Sequence, residues 1–218
     1  VSNCNRLIGT FEASTSEVAK GYIPELKVLR AFYYLYLLDL FGNVPITTTL
    51  SEPPAKSPRA DVYAFVEKEV LDNVDLLSKE TGTPTYGRVN YYVGQTILAK
   101  LYLNAEVYAG TAQWAKAAEA CQKVIDGPYN IEPDYFTNFI VNNQVSTENI
   151  FSIPYHATNA PGMWIAQVSL HGSSPQTFDI ATGPWNGFCA MEETYLSYID
   201  PVANPGPQGT VIDVMGKP

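Results

Sequence analysis

The chain runs to 218 residues, of which 46% are hydrophobic and 16% charged. At that length about 70% of the unfolded surface can be buried, enough for one large core or one and a half ordinary domains, and the apolar content excludes wholesale disorder. Thirteen Lys and Arg against 22 Asp and Glu leave a formal charge of −9 with no basic cluster, which excludes the electrostatic footprint of a nucleic-acid binder.

No uncharged apolar run reaches the ~18 residues of a membrane span; the run from Ala31 to Leu38 is cut by Asp39. Without an initiator Met, basic leader or signal peptide, the chain reads as soluble and as a fragment of a longer protein. Cys4, Cys121 and Cys189 form no CxxC pair, and the histidines are only His156 and His171, so no zinc site assembles locally. The cysteines are expected as buried small apolar residues, with room for one disulfide. Walker, GxGxxG, GxSxG and HExxH motifs are all missing, and no cofactor is expected.

A short helix is predicted over residues 3–11, then a long one over 22–41. In the latter Leu26, Leu29, Tyr33, Tyr36, Leu37 and Leu40 recur at helical spacing and predict the buried stripe. Gly42 ends it and Pro45 keeps it from resuming. Ser57 and Pro58 read as N-cap and first residue of a second long helix, with Val62, Phe65, Val66, Val70, Val74 and Leu77 inward. A third over 89–108 buries Val93, Ile97, Leu98, Leu101, Tyr102 and Ala105. A fourth over 112–125 points Trp114, Ala117, Ala118, Cys121 and Val124 inward before Gly127 and Pro128 end it. Two helical pairs with small residues where they meet predict a mostly α fold of tetratricopeptide-like pairs over 1–130. Residues 131–218 read as a loop-rich region, with a strand at 148–153 and one more helix over 191–199.

Five blocks in order resemble the SusD/RagB-like family. Arg30-Ala31-Phe32-Tyr33-Tyr34 with Leu40-Phe41-Gly42-Asn43-Val44-Pro45 is similar to its "RAxYY…LFGxVP" block, and Ser57-Pro58-Arg59 with Asp61-Val62-Tyr63 to its next helix start. Tyr86-Gly87-Arg88-Val89 with Ala99-Lys100-Leu101-Tyr102-Leu103, then Glu148-Asn149-Ile150-Phe151 and Asn186-Gly187, complete the order. Residues 90–94 depart from the family, which more often has Lys or Ala there. The resemblance implies a SusD-like α-α superhelix with a loop-rich ligand region. It also implies a lipid-anchored protein at the outer-membrane surface that binds oligosaccharide, in a minority peptide. Such proteins deliver the ligand to a SusC-like TonB-dependent transporter. The lipidated Cys would lie upstream of this chain: Asn3 precedes Cys4, where a lipobox has Gly or Ala.

The residues themselves point the same way. Between Asn149 and Met191 the only charged residue is Asp179, while aromatic, Asn and Gln residues are plentiful. A sugar presents apolar C–H faces and uncharged hydroxyls, so its site needs flat aromatic platforms and amides that both donate and accept. Trp185, between Pro184 and Asn186, and Trp164, after Pro161-Gly162-Met163, are the platform candidates; Asn186, Tyr155 and His156 are the neighbouring contacts. Each tryptophan could instead plug the loops against the helices. His171 reads as a polar loop residue, Trp114 and the tyrosines at 33, 34 and 36 as core, and Glu192-Glu193 as a helix start. A glycosidase needs two carboxylates across the scissile bond, and Asp179 stands alone, so the expectation is a non-catalytic binder. The competing readings are a helical-repeat scaffold for a protein partner and a glycoside hydrolase whose second acid lies elsewhere.

Overall fold

A computed structural model describes residues 1–50, 54–140, 142–156, 158–179, 181, 183–189 and 191. Among them the regular structure is helical: α1 (Ser2–Glu12), α2 (Glu17–Gly21), α3 (Ile23–Phe41), α4 (Arg59–Leu71), α5 (Tyr91–Leu103), α6 (Ala105–Ala109), α7 (Trp114–Ile125), α8 (Ile165–Ser169) and α9 (Ser174–Phe178). None of the described helices is long and apolar enough to cross a membrane. The chain divides into two compact units, Val1–Ile153 and Pro154–Pro218. The helix expected over 191–199 lies outside the described residues apart from Met191, as do Glu192 and Glu193.

The long helix α3 starts and stops where its sequence predicts, with Pro24 in its first turn and Gly42 at its end, but it buries a different face. Val28, Ala31, Tyr34, Leu35 and Leu38 form the core. Leu26, Leu29 and Leu37 are half-buried, and Tyr33, Tyr36 and Leu40 are exposed. The helix is apolar on nearly every side, so periodicity alone does not select a face. The selection comes from α1 and α4, which pack on it.

The residues of the first resemblance blocks do structural work in this unit. Arg30, almost fully buried, makes a bidentate pair with Glu69 of α4, both N–H···O distances being 2.8 Å. Its remaining nitrogen donates to Asn5 Oδ1 of α1 at 2.8 Å, so one side chain ties three helices together. The Asn5 amide in turn donates to the carbonyls of Thr47 and Thr49. The Tyr34 hydroxyl accepts from the Thr47 N–H at 2.8 Å. Gly42 takes φ +68, and a Cβ there would meet the Arg59 guanidinium at 2.9 Å. Arg88 pairs with Glu25 and lies 5.1 Å over the Tyr22 ring.

Helix α4 begins at Arg59, and its cap is not Ser57. The Asn43 side chain accepts from the Arg59 N–H at 2.8 Å, while Ser57 forms a bridge with Val44. A loop side chain has reached across the connection to satisfy a helix-start donor. The predicted third helix is two helices: the Asn104 amide donates to the Lys100 carbonyl, and α5 gives way to α6. All six predicted inward residues of this segment are buried, and Asn90 caps α5 through the Val93 N–H.

Helix α7 packs on α5 through Ala117 and Ala120. Trp114 is 62% exposed, and Ala118 and Cys121 are exposed too, contrary to expectation. Small residues bring α7 close to α5 on one side, and the remaining apolar stripe faces away. All three cysteines are free and only Cys4 is buried, so the predicted burial of the other two and the disulfide do not appear. Residues 148–153 form no strand. Instead Ile150 and Phe151 pack against the helical core, Phe151 edge-on to Phe32 at 5.6 Å. The compositional change at 130/131 therefore falls inside the first unit.

Candidate functional site

In the second unit, a chain reversal brings residues 183–188 against α8. The N–H groups of Trp185, Asn186 and Gly187 donate to the carbonyls of Gln167 (2.8 Å), Leu170 (3.2 Å) and Val168 (2.6 Å). The Gln167 side chain donates to the Gly183 carbonyl. Gly187 is needed for this approach: a Cβ there would meet Val168 Cγ1 at 2.5 Å and the Val168 carbonyl oxygen at 3.2 Å.

The consequence is that Trp164, just before α8, meets Trp185. Their rings stack with centroids 5.4 Å apart and planes 14° from parallel. Both remain 58% exposed. The two candidate platforms thus form one double-ring slab that stays more than half exposed. Offset stacking of this kind holds ring orientation more firmly than a lone exposed side chain.

Asn186 sits in the same turn at φ +52, a left-handed conformation that Asn tolerates better than most residues. Its Oδ1 accepts from the Gly172 N–H at 2.8 Å, so the side chain fixes the loop. Tyr155 and His156 belong to a separate turn, closed by mutual backbone hydrogen bonds between His156 and Ala160 at 3.0 Å. His156 Nδ1 accepts from the N–H groups of Thr158 and Asn159 at 3.2 and 3.1 Å. Among the described residues no hydrogen bond or ring contact joins Tyr155 or His156 to the tryptophan pair. Of the five predicted residues, three are brought together and two stand apart.

The acid of this segment, Asp179, ends α9 in the left-handed region at φ +52. His171 Nδ1 lies 2.8 Å from Ser173 Oγ, a local turn contact. No group of His, Cys, Asp and Glu among the described residues could hold a metal ion.

The helical unit holds a feature the sequence reading missed. A cleft of ≈ 840 Å³ lies between α3, α5, α6 and the 135–151 segment, and Tyr36, assigned above to the core, opens onto it. The available signal was the second apolar stripe on α3, which the all-round hydrophobicity of that helix hid. Tyr108 lines the same cleft and donates to Asp39 Oδ1 at 2.7 Å. Burial first, then that hydrogen bond and the Asp39 charge, push its hydroxyl up to about 12. Glu148 accepts from Asn138 Nδ2 and from the Glu132 N–H, which together hold its carboxyl below the ordinary value.

No family model matches the chain. The starch-binding protein SusD of Bacteroides thetaiotaomicron is 33% identical over 144 residues, covering 66% of this chain and 26% of that protein. The chain thus spans about a quarter of the length of this curated relative. Among solved structures, surface glycan-binding protein A of the same species, in complex with laminarihexaose, superposes with a TM-score of 0.72 at 23% identity. That match covers 91% of this chain and 44% of the other. A SusD superfamily protein from Parabacteroides distasonis gives 0.62 at 26% identity, over 72% of this chain and 36% of the other. The order of blocks, the mostly helical fold and these relatives agree: the chain is similar to SusD-like proteins in both sequence and fold.

Proposed function

We propose that this chain is part of a non-catalytic surface protein that binds a neutral oligosaccharide and passes it to a SusC-like TonB-dependent transporter. The protein would be held at the outer membrane by a lipid anchor outside this chain. The observation that carries the reading is the exposed Trp164–Trp185 slab, set in a segment where Asp179 is the sole charge from Asn149 to Met191. Stacked indoles offer an apolar face to a pyranose, and an uncharged surround imposes no charge requirement on the ligand. The relatives support the ligand class: one is named for binding starch and another was solved with laminarihexaose, both uncharged glucose polymers. Asp179 has no second carboxylate beside it in its segment, so hydrolysis by a carboxylate pair finds no support there.

The test is calorimetric titration of the intact protein with neutral oligosaccharides, beside Trp185→Ala. Binding that the variant loses is the expected result. Retention of peptide but not glycan would keep the uptake role and change the cargo. Silence toward both would overturn the reading in favour of a helical scaffold.

A further inference from the structure

We propose that the helical unit carries a second, separate oligosaccharide-binding site in the ≈ 840 Å³ cleft between α3, α5 and the 135–151 segment. Its volume falls within the range of about 300–1,000 Å³ usual for small-molecule sites. Two aromatic walls line it. On α3, Phe32 and Tyr36 pack edge to face at 4.9 Å. On the 135–139 turn, Tyr135 and Phe139 lie 5.1 Å apart, and Tyr135 is 70% exposed. Rings left this open on both walls of a cleft offer apolar faces without closing it.

The polar groups select the ligand. Asp39 uses Oδ1 to accept from Tyr108, and Glu148 uses Oε2 to accept from Asn138 and the Glu132 N–H. The second oxygen of each carboxylate has no protein hydrogen bond among the described residues. Lys100, exposed at the same cleft, pairs with no carboxylate there. A hydrocarbon ligand would strand all three groups away from water at a cost. An anion would meet two carboxylates for one ammonium. A polyol satisfies the whole set: its hydroxyls donate to Asp39 and Glu148, accept from Lys100, and its C–H faces lie on the rings. The cleft contains no tryptophan and shares no residue with the Trp164–Trp185 slab, so the inference stands independently of that site.

The experiment titrates the intact protein with maltohexaose and with laminarihexaose by calorimetry, in wild type, Trp164→Ala/Trp185→Ala, and that double variant with Tyr135→Ala or Lys100→Gln added. Tyr135 and Lys100 are exposed, so neither change threatens folding. The expected result is binding that survives in the tryptophan variant and weakens by about tenfold or more when Tyr135 is also removed. Residual binding that neither added change alters would overturn the cleft. Loss of all binding with the tryptophans alone would overturn the cleft and leave the proposed function standing. Full wild-type affinity in the tryptophan variant, lost with Tyr135→Ala, would support the cleft and move the function away from the slab. A wild type that binds neither glucan would overturn both.

Discussion

The two units solve opposite problems. In Val1–Ile153 the side chains that attract the eye in sequence are consumed by the fold: Arg30 and Tyr34 knit helices and loop together, and Gly42 makes room for Arg59. Among the described residues from Pro154 onward, backbone hydrogen bonds join a reversed loop to a five-residue helix, and Tyr155, Trp164, Trp185 and Phe188 stay on the surface. The buried face of the helical unit spends most of its polar groups internally, whereas loops braced through their backbone can leave indoles and amides unspent. Arg30, Tyr34 and Gly42 therefore mark architecture, and the aromatic segment from Pro154 onward marks the first candidate site.

Four experiments break or sharpen that contrast. The largest effect belongs to the helical unit. Arg30→Met leaves Glu69 and Asn5 buried without their partner, and urea unfolding should show a loss of about 3–5 kcal/mol. Replacing Glu69 by Leu in the same chain should restore much of it. A fully restored double variant would confirm that the cost is an orphaned charge and not lost packing.

The next is alkaline pH. Burial, its first cause in each case, raises the Tyr63 and Tyr108 hydroxyls from 10 to about 12, with Glu67 and Asp39 adding to it. The folded state thus holds these protons more tightly than the unfolded chain does. The corresponding stability is present in full below pH 10 and is lost as pH rises from 10 towards 12. Melting followed by circular dichroism across that window should fall more steeply than in Tyr108→Phe. Equal slopes would remove Tyr108 from the account.

Third, Trp164→Ala/Trp185→Ala should reduce affinity for a neutral glucan by at least about tenfold, while the urea midpoint moves little. A large stability loss with little affinity change would make the slab a structural plug. The smallest effect is at the α4 start: Asn43→Ala removes the acceptor of the Arg59 N–H and should cost about 1 kcal/mol. Ser57→Ala should cost less, which inverts the ranking the sequence suggests.

Local signals were legible without a structure. Helix α3 ends at Gly42, as the sequence predicts, because the position requires positive φ; the Asn90 cap on Val93 is equally local, but the helix predicted from 89 passes over it. The uncharged aromatic run and the solitary Asp179 are also facts of the sequence, and they select Trp164 and Trp185 before any fold is known. Each of these rests on interactions within a few residues or on composition alone.

Tertiary structure decided the rest. Which side of α3 is buried depends on α1 and α4, because a helix apolar all round has no preferred face until a partner arrives. Trp114 is exposed because Ala117 and Ala120 make the contact with α5. The stacking of Trp164 on Trp185 needs a reversal that spans twenty residues and a glycine at 187 to permit it. The cleft beside Tyr36 and Tyr135 exists because segments a hundred residues apart in sequence meet there. Helix ends and composition are local quantities and can be read along the chain; the choice of buried face, ring pairs and cavities is made by contacts between distant segments.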